Sequence, residues 1–139
     1  MVRLLRHTKV TGQISDDRDH PNTISLDLWD VNNRKVCVTG ESTGGGSIHI
    51  DEYDSIKVSF TTQSHTLLIP HKDAPGEIAA VTGMIASCNI NIGQMNVYRT
   101  QKGSTAVMII ETDQLISDKM IKKLKLLPDI HDVIFIKAL

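Results

Sequence analysis

The sequence predicts an α+β protein: a small antiparallel β lobe followed by a ferredoxin-like β-α-β-β-α-β unit. Three observations predict it. Short runs of apolar alternation fill residues 23–60 without any helical period. From residue 65 the rhythm becomes strand, helix, strand, strand, helix, strand. The chain has 139 residues, 40% of them hydrophobic and 22% charged, enough for one domain or two small lobes.

Residues 1–19 are polar and without a sustained period, and read as a flexible arm or the remnant of a longer N-terminal region. Residues 20–63 read as the β lobe. Ile24, Leu26 and Leu28 alternate with Ser25 and Asp27, which marks a half-buried strand. Asp30-Val31-Asn32-Asn33 turns the chain, and Val36-Cys37-Val38 extends it again. Gly44-Gly45-Gly46 must turn or bulge before Ile48-His49-Ile50 continues as a strand. Tyr53-Asp54-Ser55 breaks once more, and Ile56, Val58 and Phe60 alternate as the last strand of the lobe.

Residues 64–139 read as the second unit. Thr66 to Ile69 is a short apolar strand, with Pro70 expected at its final position, where a missing N–H does least harm. Asp73 is the expected N-cap of the first helix and Pro75 lies in its first turn. Ile78, Val81, Thr82 and Ile85 would form the buried face, and Asn89 would end the helix. Ile90 and Ile92 share one strand parity while Met95 and Val97 take the other, so a β-bulge is expected at Gly93 or Gln94. Gln101-Lys102-Gly103 is a hairpin turn. Residues 104–111 are apolar on both faces, the signature of a central strand. Ser117 caps a helix carrying Ile116, Met120, Ile121, Leu124 and Leu127; Pro128-Asp129 stops it, and residues 133–136 form the last strand.

The formal net charge is -1, which offers no electrostatic footprint for nucleic acid or an anionic membrane. No apolar stretch has the length of a membrane span, and MVRLLRHTKV lacks an apolar signal core, so the cytoplasm is the expected compartment. Cys37 and Cys88 are far apart, and buried neutral thiols are expected. An iron–sulfur cluster takes four thiolates, so no cluster is expected in this chain alone. Gly40-Glu41-Ser42-Thr43-Gly44 matches G-x-S-x-G, but the nucleophile elbow needs a following helix, and three glycines and a β pattern follow instead. Gly46 stands where a phosphate loop needs lysine, and none of the six histidines lies in HExxH spacing. No catalytic residue and no metal ligand is therefore expected.

The candidate site is the first strand–helix junction of the second unit, His71-Lys72-Asp73-Ala74-Pro75-Gly76. The N–H donors of a helix N-terminus favour the carboxylate of an amino acid. Asp73 or the side-chain carbonyl of Asn91, with Ile92 beside it, would take the ammonium, and Gly76 would let a ligand approach closely. The same residues also make a good helix start, so capping competes with binding as their explanation.

HKDAPGEIAAVTGMIASCNINIGQMNVYR resembles the opening of an ACT domain, a ferredoxin-like module that senses amino acids. Against the serine-binding ACT domain of phosphoglycerate dehydrogenase, the ligand-contacting histidine and two asparagines fall on His71, Asp73 and Asn91; Asp73 departs from the pattern. His20-Pro21-Asn22-Thr23, GESTGGGSIHI and TLLIPHKDAPGEIAAVT together resemble the beta subunit of iron–sulfur-dependent L-serine dehydratase. That resemblance implies an allosteric-substrate-binding lobe in which His20, Asn22, Gly44, Gly45 and Gly46 contact ligand or a catalytic subunit. A turn at His20-Pro21-Asn22 and close backbone packing at the glycines are the structural alternatives. It further implies a catalytic alpha subunit holding a 4Fe-4S cluster, conversion of L-serine to pyruvate and ammonia by the pair, and L-serine as the regulatory ligand. No cofactor is implied for this chain itself. Beta subunits of the family carry a longer N-terminal segment with a Ser-Ser-Ser-His-Thr motif, absent here, so the chain alone is not expected to be active. The open sheet edge and the second apolar face of the strand at Thr105 to Ile110 suggest a homodimer through ACT sheets. A detached sensor related to phosphoglycerate dehydrogenase and a non-binding dimerisation module are the other readings.

Overall fold

The computed structural model describes residues 9–13, 22–29 and 33–138. The chain divides into two compact units, with the boundary between Thr62 and Gln63. His20 and residues 30–32 of the expected turn lie outside the described residues.

The first unit is a five-stranded antiparallel meander in the order β1-β2-β3-β4-β5: β1 Lys9–Gln13, β2 Thr23–Trp29, β3 Lys35–Gly44, β4 Ser47–Tyr53 and β5 Ile56–Thr61. The region read from sequence as an arm thus contributes a strand, pairing Lys9 with Trp29 and Gln13 with Ser25. Five residues are too few to show a period, and backbone pairing does not require one. Alternation gives the sheet an apolar face, with Leu26 opposite Val38, Leu28 opposite Val36 and Ile50 opposite Phe60. Tyr53, Ile56, Val58 and Phe60 are buried there. The other face is polar, with the Ser25 and Thr39 hydroxyls 2.9 Å apart. The β4–β5 turn is built without glycine: Asp54 and Ser55 take φ of 49° and 69°, the pair of positive angles that matches a two-residue hairpin to strand twist.

The second unit contains β6 His65–Lys72, α1 Glu77–Ser87, β7 Ile92–Arg99, β8 Thr105–Thr112, α2 Asp118–Leu124 and β9 Ile134–Ile136. Its sheet order is β7-β8-β6-β9, all antiparallel, as the ferredoxin-like reading requires. Leu67 and Ile69 of β6 and Met108 and Ile110 of β8 pack with Val81 and Ile85 of α1 and Met120 and Leu124 of α2. Ala106 to Ile110 are buried on both faces of β8. The expected bulge is present: Ile92 pairs Thr112 and Gln94 pairs Glu111, leaving Gly93 over. Ser117 caps α2 by accepting the Met120 N–H at 3.3 Å. Among the described residues no helix is long and apolar enough to cross a membrane.

Two expectations need correction. Pro70 is not the last residue of β6; His71 and Lys72 continue the strand opposite Ala106 and Thr105. The proline is tolerated because its carbonyl accepts the His131 N–H at 2.9 Å, on the side away from β8. Its missing N–H faces that same side, where β9 pairs only Thr66 to Leu68. Second, α1 starts later than Asp73. Its N-cap is Gly76 at φ 93°, and its buried stripe is Glu77, Val81 and Ile85, while Ile78 is 42% exposed. Pro75-Gly76 turns the chain before the helix, and Asp73 is engaged elsewhere. Asn89, at φ 56°, follows the C-cap Cys88 as the left-handed residue that ends the helix.

Candidate ligand site at the β6–α1 junction

His71 sits on the same face of β6 as Leu67 and Ile69, the face covered by the helices. It is 2% exposed, and its Nδ1 lies 2.7 Å from the Lys72 carbonyl. A carbonyl only accepts, so Nδ1 carries the proton, and in the neutral ring Nε2 is left as an acceptor. Nε2 is buried and, among the described residues, has no hydrogen-bond partner. Glu77, first residue of α1, belongs to the helix stripe that faces the sheet, and its Oε2 is likewise buried without a partner. Both orphan atoms belong to the end of the unit where β6 hands over to α1. Leaving such a group unsatisfied costs about 1–3 kcal/mol, which a ligand bonding to it would return.

Gly76 adds to the site by what it lacks. No side chain caps α1, so the leading N–H groups keep their positive partial charge. A Cβ built on Gly76 meets nothing within 4 Å, so the glycine leaves open space at the helix start.

Asp73 does not offer a free carboxylate. Its Oδ2 accepts from Arg99 Nη1 at 2.7 Å and from the Gly103 N–H at 2.8 Å. The Gly103 N–H, then the Arg99 guanidinium, hold its carboxyl below the usual aspartate range. It ties the junction loop to β7 and to the β7–β8 turn. Asn91 and Ile92 lie at the opposite end of the sheet from His71, so within one chain they do not join the junction site as expected. Ile92 and His65 both pair Thr112, whereas His71 pairs Ala106, six positions along β8, or about 20 Å at the rise of a strand. The Asn91 amide donates to Asp113 Oδ2 at 2.7 Å, and its N–H to Gln114 Oε1 at 2.7 Å. His71 and Gly76 therefore both belong to the β6–α1 junction, and within one chain Asn91 lies apart from it. Glu77 was missed from sequence because the helix start was placed three residues early, which put Ile78 on the buried face instead.

In the first unit the glycines close the β3–β4 hairpin. Gly44, Gly45 and Gly46 take φ of 88°, 62° and 81°, with open space around each, so positive φ rather than close packing demands them. The Asn22 carbonyl accepts the Ser42 N–H at 3.3 Å, which brings Asn22 beside the strand that leads into this hairpin. Cys37 is half-buried on β3, where burial pushes its thiol pKa up, and Cys88 is exposed after α1; the expectation of two buried thiols fails at Cys88. Two cysteines on separate units do not fit an iron–sulfur cluster.

Residues 67–132 match the family described as the AHAS small subunit-like ACT domain. The probable L-serine dehydratase beta chain of Bacillus subtilis is 37% identical over 114 residues, covering 82% of this chain and 51% of that protein. The L-serine dehydratase beta chain of Peptoniphilus asaccharolyticus is 23% identical over 75% of this chain and 47% of its own length. D-3-phosphoglycerate dehydrogenase of Methanocaldococcus jannaschii is 28% identical over 92% of this chain and 24% of its own. The chain thus spans about half the length of the beta chains and a quarter of the dehydrogenase. The second unit is thus similar to ACT domains over residues 67–132, and the chain as a whole is similar to L-serine dehydratase beta chains.

Proposed function

We propose that the chain is the regulatory portion of an L-serine dehydratase, binding L-serine at the β6–α1 junction to control a catalytic subunit that holds the iron–sulfur cluster. The pair of buried, unpartnered atoms, His71 Nε2 and Glu77 Oε2, beside an uncapped helix start carries this reading. An α-amino acid supplies the matching groups. Its carboxylate meets the open N–H groups of α1, its ammonium meets Glu77, and a hydroxyl donates to His71 Nε2. Serine has all three, whereas alanine and glycine lack the third. Similarity to two dehydratase beta chains supports the catalytic partner, in which the conversion of serine to pyruvate and ammonia would occur.

The separation of Asn91 from His71 bears on assembly. β7 is an edge strand and exposes Met95 and Val97, each 37%. Antiparallel pairing of two β7 edges would run the second copy's strand backwards, carrying its Asn91 toward the His71 end of the first. A dimer through these edges would complete a site that one chain leaves half built.

Calorimetric titration of the purified chain with L-serine tests the proposal, with D-serine, glycine and L-alanine as controls. Saturable binding selective for L-serine and lost in His71→Ala is expected. Binding that survives His71→Ala moves the site elsewhere, and no binding to the chain in its dimeric form removes the sensor reading. The 92% coverage by the jannaschii dehydrogenase favours a second reading, a sensor serving serine synthesis. Co-purification with a cysteine-rich partner that forms pyruvate from serine separates the two.

A further inference from the structure

On the polar face of the first sheet, Glu41 of β3 and His49 and Asp51 of β4 converge, with one ligand atom of each within 4.8 Å of the others. We propose that these three side chains form a binding site for a divalent transition-metal cation of the Zn2+ type, independent of the junction in the second unit.

Local backbone geometry brings the three together. Glu41 and His49 are direct cross-strand partners, and residues 49 and 51 share a face by strand alternation. Asp51 is the extra residue of a β-bulge: Gly40 pairs Ile50 and Thr39 pairs Glu52, so Asp51 is skipped. On the β5 side the register also shifts at this level, but there the extra residue belongs to β5, with Ile50 opposite Phe60 and Glu52 opposite Lys57. A bulge re-aims the side chain it carries. Here Asp51 Oδ1 comes to 2.9 Å from His49 Nδ1, and Glu41 Oε1 to 3.9 Å. A tetrahedral ion with bonds of about 2.0–2.1 Å needs ligand atoms roughly 3.3 Å apart. The two spacings bracket that value, so small side-chain rotations suffice.

The second ring nitrogen is also arranged for this role. His49 Nε2 lies 3.0 Å from Ser59 Oγ on β5. A ligating histidine characteristically gives its other N–H to such a neighbour, which fixes the tautomer and leaves the ligating nitrogen bare. Ser59 can take the Nε2 proton and leave Nδ1 directed at the two carboxylates.

Charge independently points to a cation. The neighbouring carboxylates on this face have lysine partners, Asp27 with Lys35 and Glu52 with Lys57, each within 3 Å. Among the described residues, Glu41 and Asp51 share one imidazole as their cationic partner. Even fully protonated, His49 leaves one of their two negative charges unbalanced, whereas a divalent ion with neutral imidazole balances both. The side chains of His49, Glu41 and Asp51 are 26%, 28% and 37% exposed, which leaves room for water to complete the coordination. One imidazole nitrogen and two carboxylates favour Zn2+ or a similar ion over Ca2+ or Mg2+, which prefer oxygen alone.

The test is calorimetric titration of the full chain with Zn2+ after dialysis against a chelator, repeated on His49→Gln, Asp51→Asn and Ser59→Ala. Co2+ absorption serves as a second readout of the ligand field. One saturable equivalent is expected in the parent chain and its loss in His49→Gln and Asp51→Asn. Ser59→Ala should retain the site with affinity about 10- to 100-fold weaker, as for other groups that orient a ligand. Melting curves in chelator confirm that each variant is folded, and Asp51→Asn keeps the test decisive if His49→Gln is not. Absence of a saturable equivalent in the parent overturns the proposal. So does an equivalent that persists unchanged in folded Asp51→Asn and His49→Gln.

Discussion

Replacing Glu77 by methionine should move stability and ligand binding in opposite directions. The side chain is 8% exposed at the first position of α1, and its Oε2 finds no partner. Methionine keeps the unbranched shape and volume but removes the unsatisfied oxygen. Relief of an unsatisfied buried group contributes about 1–3 kcal/mol. Against this stands the lost attraction between the carboxylate and the helix start, about 0.3–1 kcal/mol. The first term wins, and Glu77→Met should raise the stability of the ligand-free chain by about 1–2 kcal/mol. For a unit of this size that is a rise of about 4–8 °C in Tm per kcal/mol. The same substitution should abolish the stabilisation that L-serine gives the parent, about 2.7 kcal/mol at a hundredfold excess over Kd. Thermal melts of both proteins with and without L-serine read all four quantities. A Glu77→Met protein that melts lower than the parent without serine, or shows the parent's full response to serine, would refute the assignment of Glu77 as a group held unsatisfied for a ligand.

Asp73→Asn should flatten the acid limb of the stability curve. Its carboxyl is held below the ordinary value of 3.8 by the Gly103 N–H and Arg99, so the unfolded chain takes up the proton first. That contribution is present above about 3.8 and disappears as pH falls through the lower folded value. Urea midpoints compared at neutral pH and below 3.8 should therefore fall less for the variant than for the parent. Gly40→Ala would place a Cβ 2.7 Å from the His49 carbonyl and 2.9 Å from Ile50 Cδ1. Overpacking of this kind costs about 1–3 kcal/mol; because the strand that must yield carries His49, Zn2+ affinity should fall with the urea midpoint. Gly76→Ala meets no neighbour but is forced to φ 93°, so its cost should be the left-handed strain of about 1–2 kcal/mol, measured as a shift in denaturation midpoint at unchanged m-value.

Where two periods disagree, the sequence is most informative. The clash of parity between Ile92 and Met95 could be resolved only by a slipped residue, and Gly93 is that residue. Ser117 announced a helix because its hydroxyl oxygen accepts from the N–H three residues on. Asp73 looked like the same signal and was not, because a carboxylate can instead close a loop onto a distant hairpin, as Arg99 and Gly103 make it do here. That contact spans 26 and 30 residues, and no local pattern encodes it. The Glu41, His49 and Asp51 group was hidden for a similar reason. A search for helical metal spacing passes over a strand pair, where the informative signal is His-x-Asp with an acid on the facing strand. His71 was named from sequence, but its buried, unpartnered Nε2 depends on the fold around it.

The bonding around the junction also constrains how occupancy could be passed on. The loop between β6 and α1 is held by the Lys72 N–H on the Asp129 carbonyl at 2.9 Å, by the Asp73 N–H on the Ser104 carbonyl at 2.7 Å, and by Asp73 itself on Arg99 and Gly103. Two of these anchors, Arg99 and Gly103, belong to the edge strand β7 and its turn, and Ser104 follows directly before β8. Movement of the loop to meet a ligand is therefore delivered to the β7–β8 hairpin before it reaches the densely packed core of Leu67, Ile69 and Met108. Cores of that density do not deform by small amounts, whereas a hairpin at a sheet edge can tilt. If β7 also joins two copies, binding and pairing bias the same element, and each must strengthen the other by an equal factor. Arg99→Met separates this route from direct contact. It should leave the affinity of a preassembled dimer for L-serine unchanged while removing the serine dependence of dimerisation in sedimentation runs. Dimerisation that still responds fully to serine in this variant would place the connection elsewhere than in the Asp73–Arg99 pair.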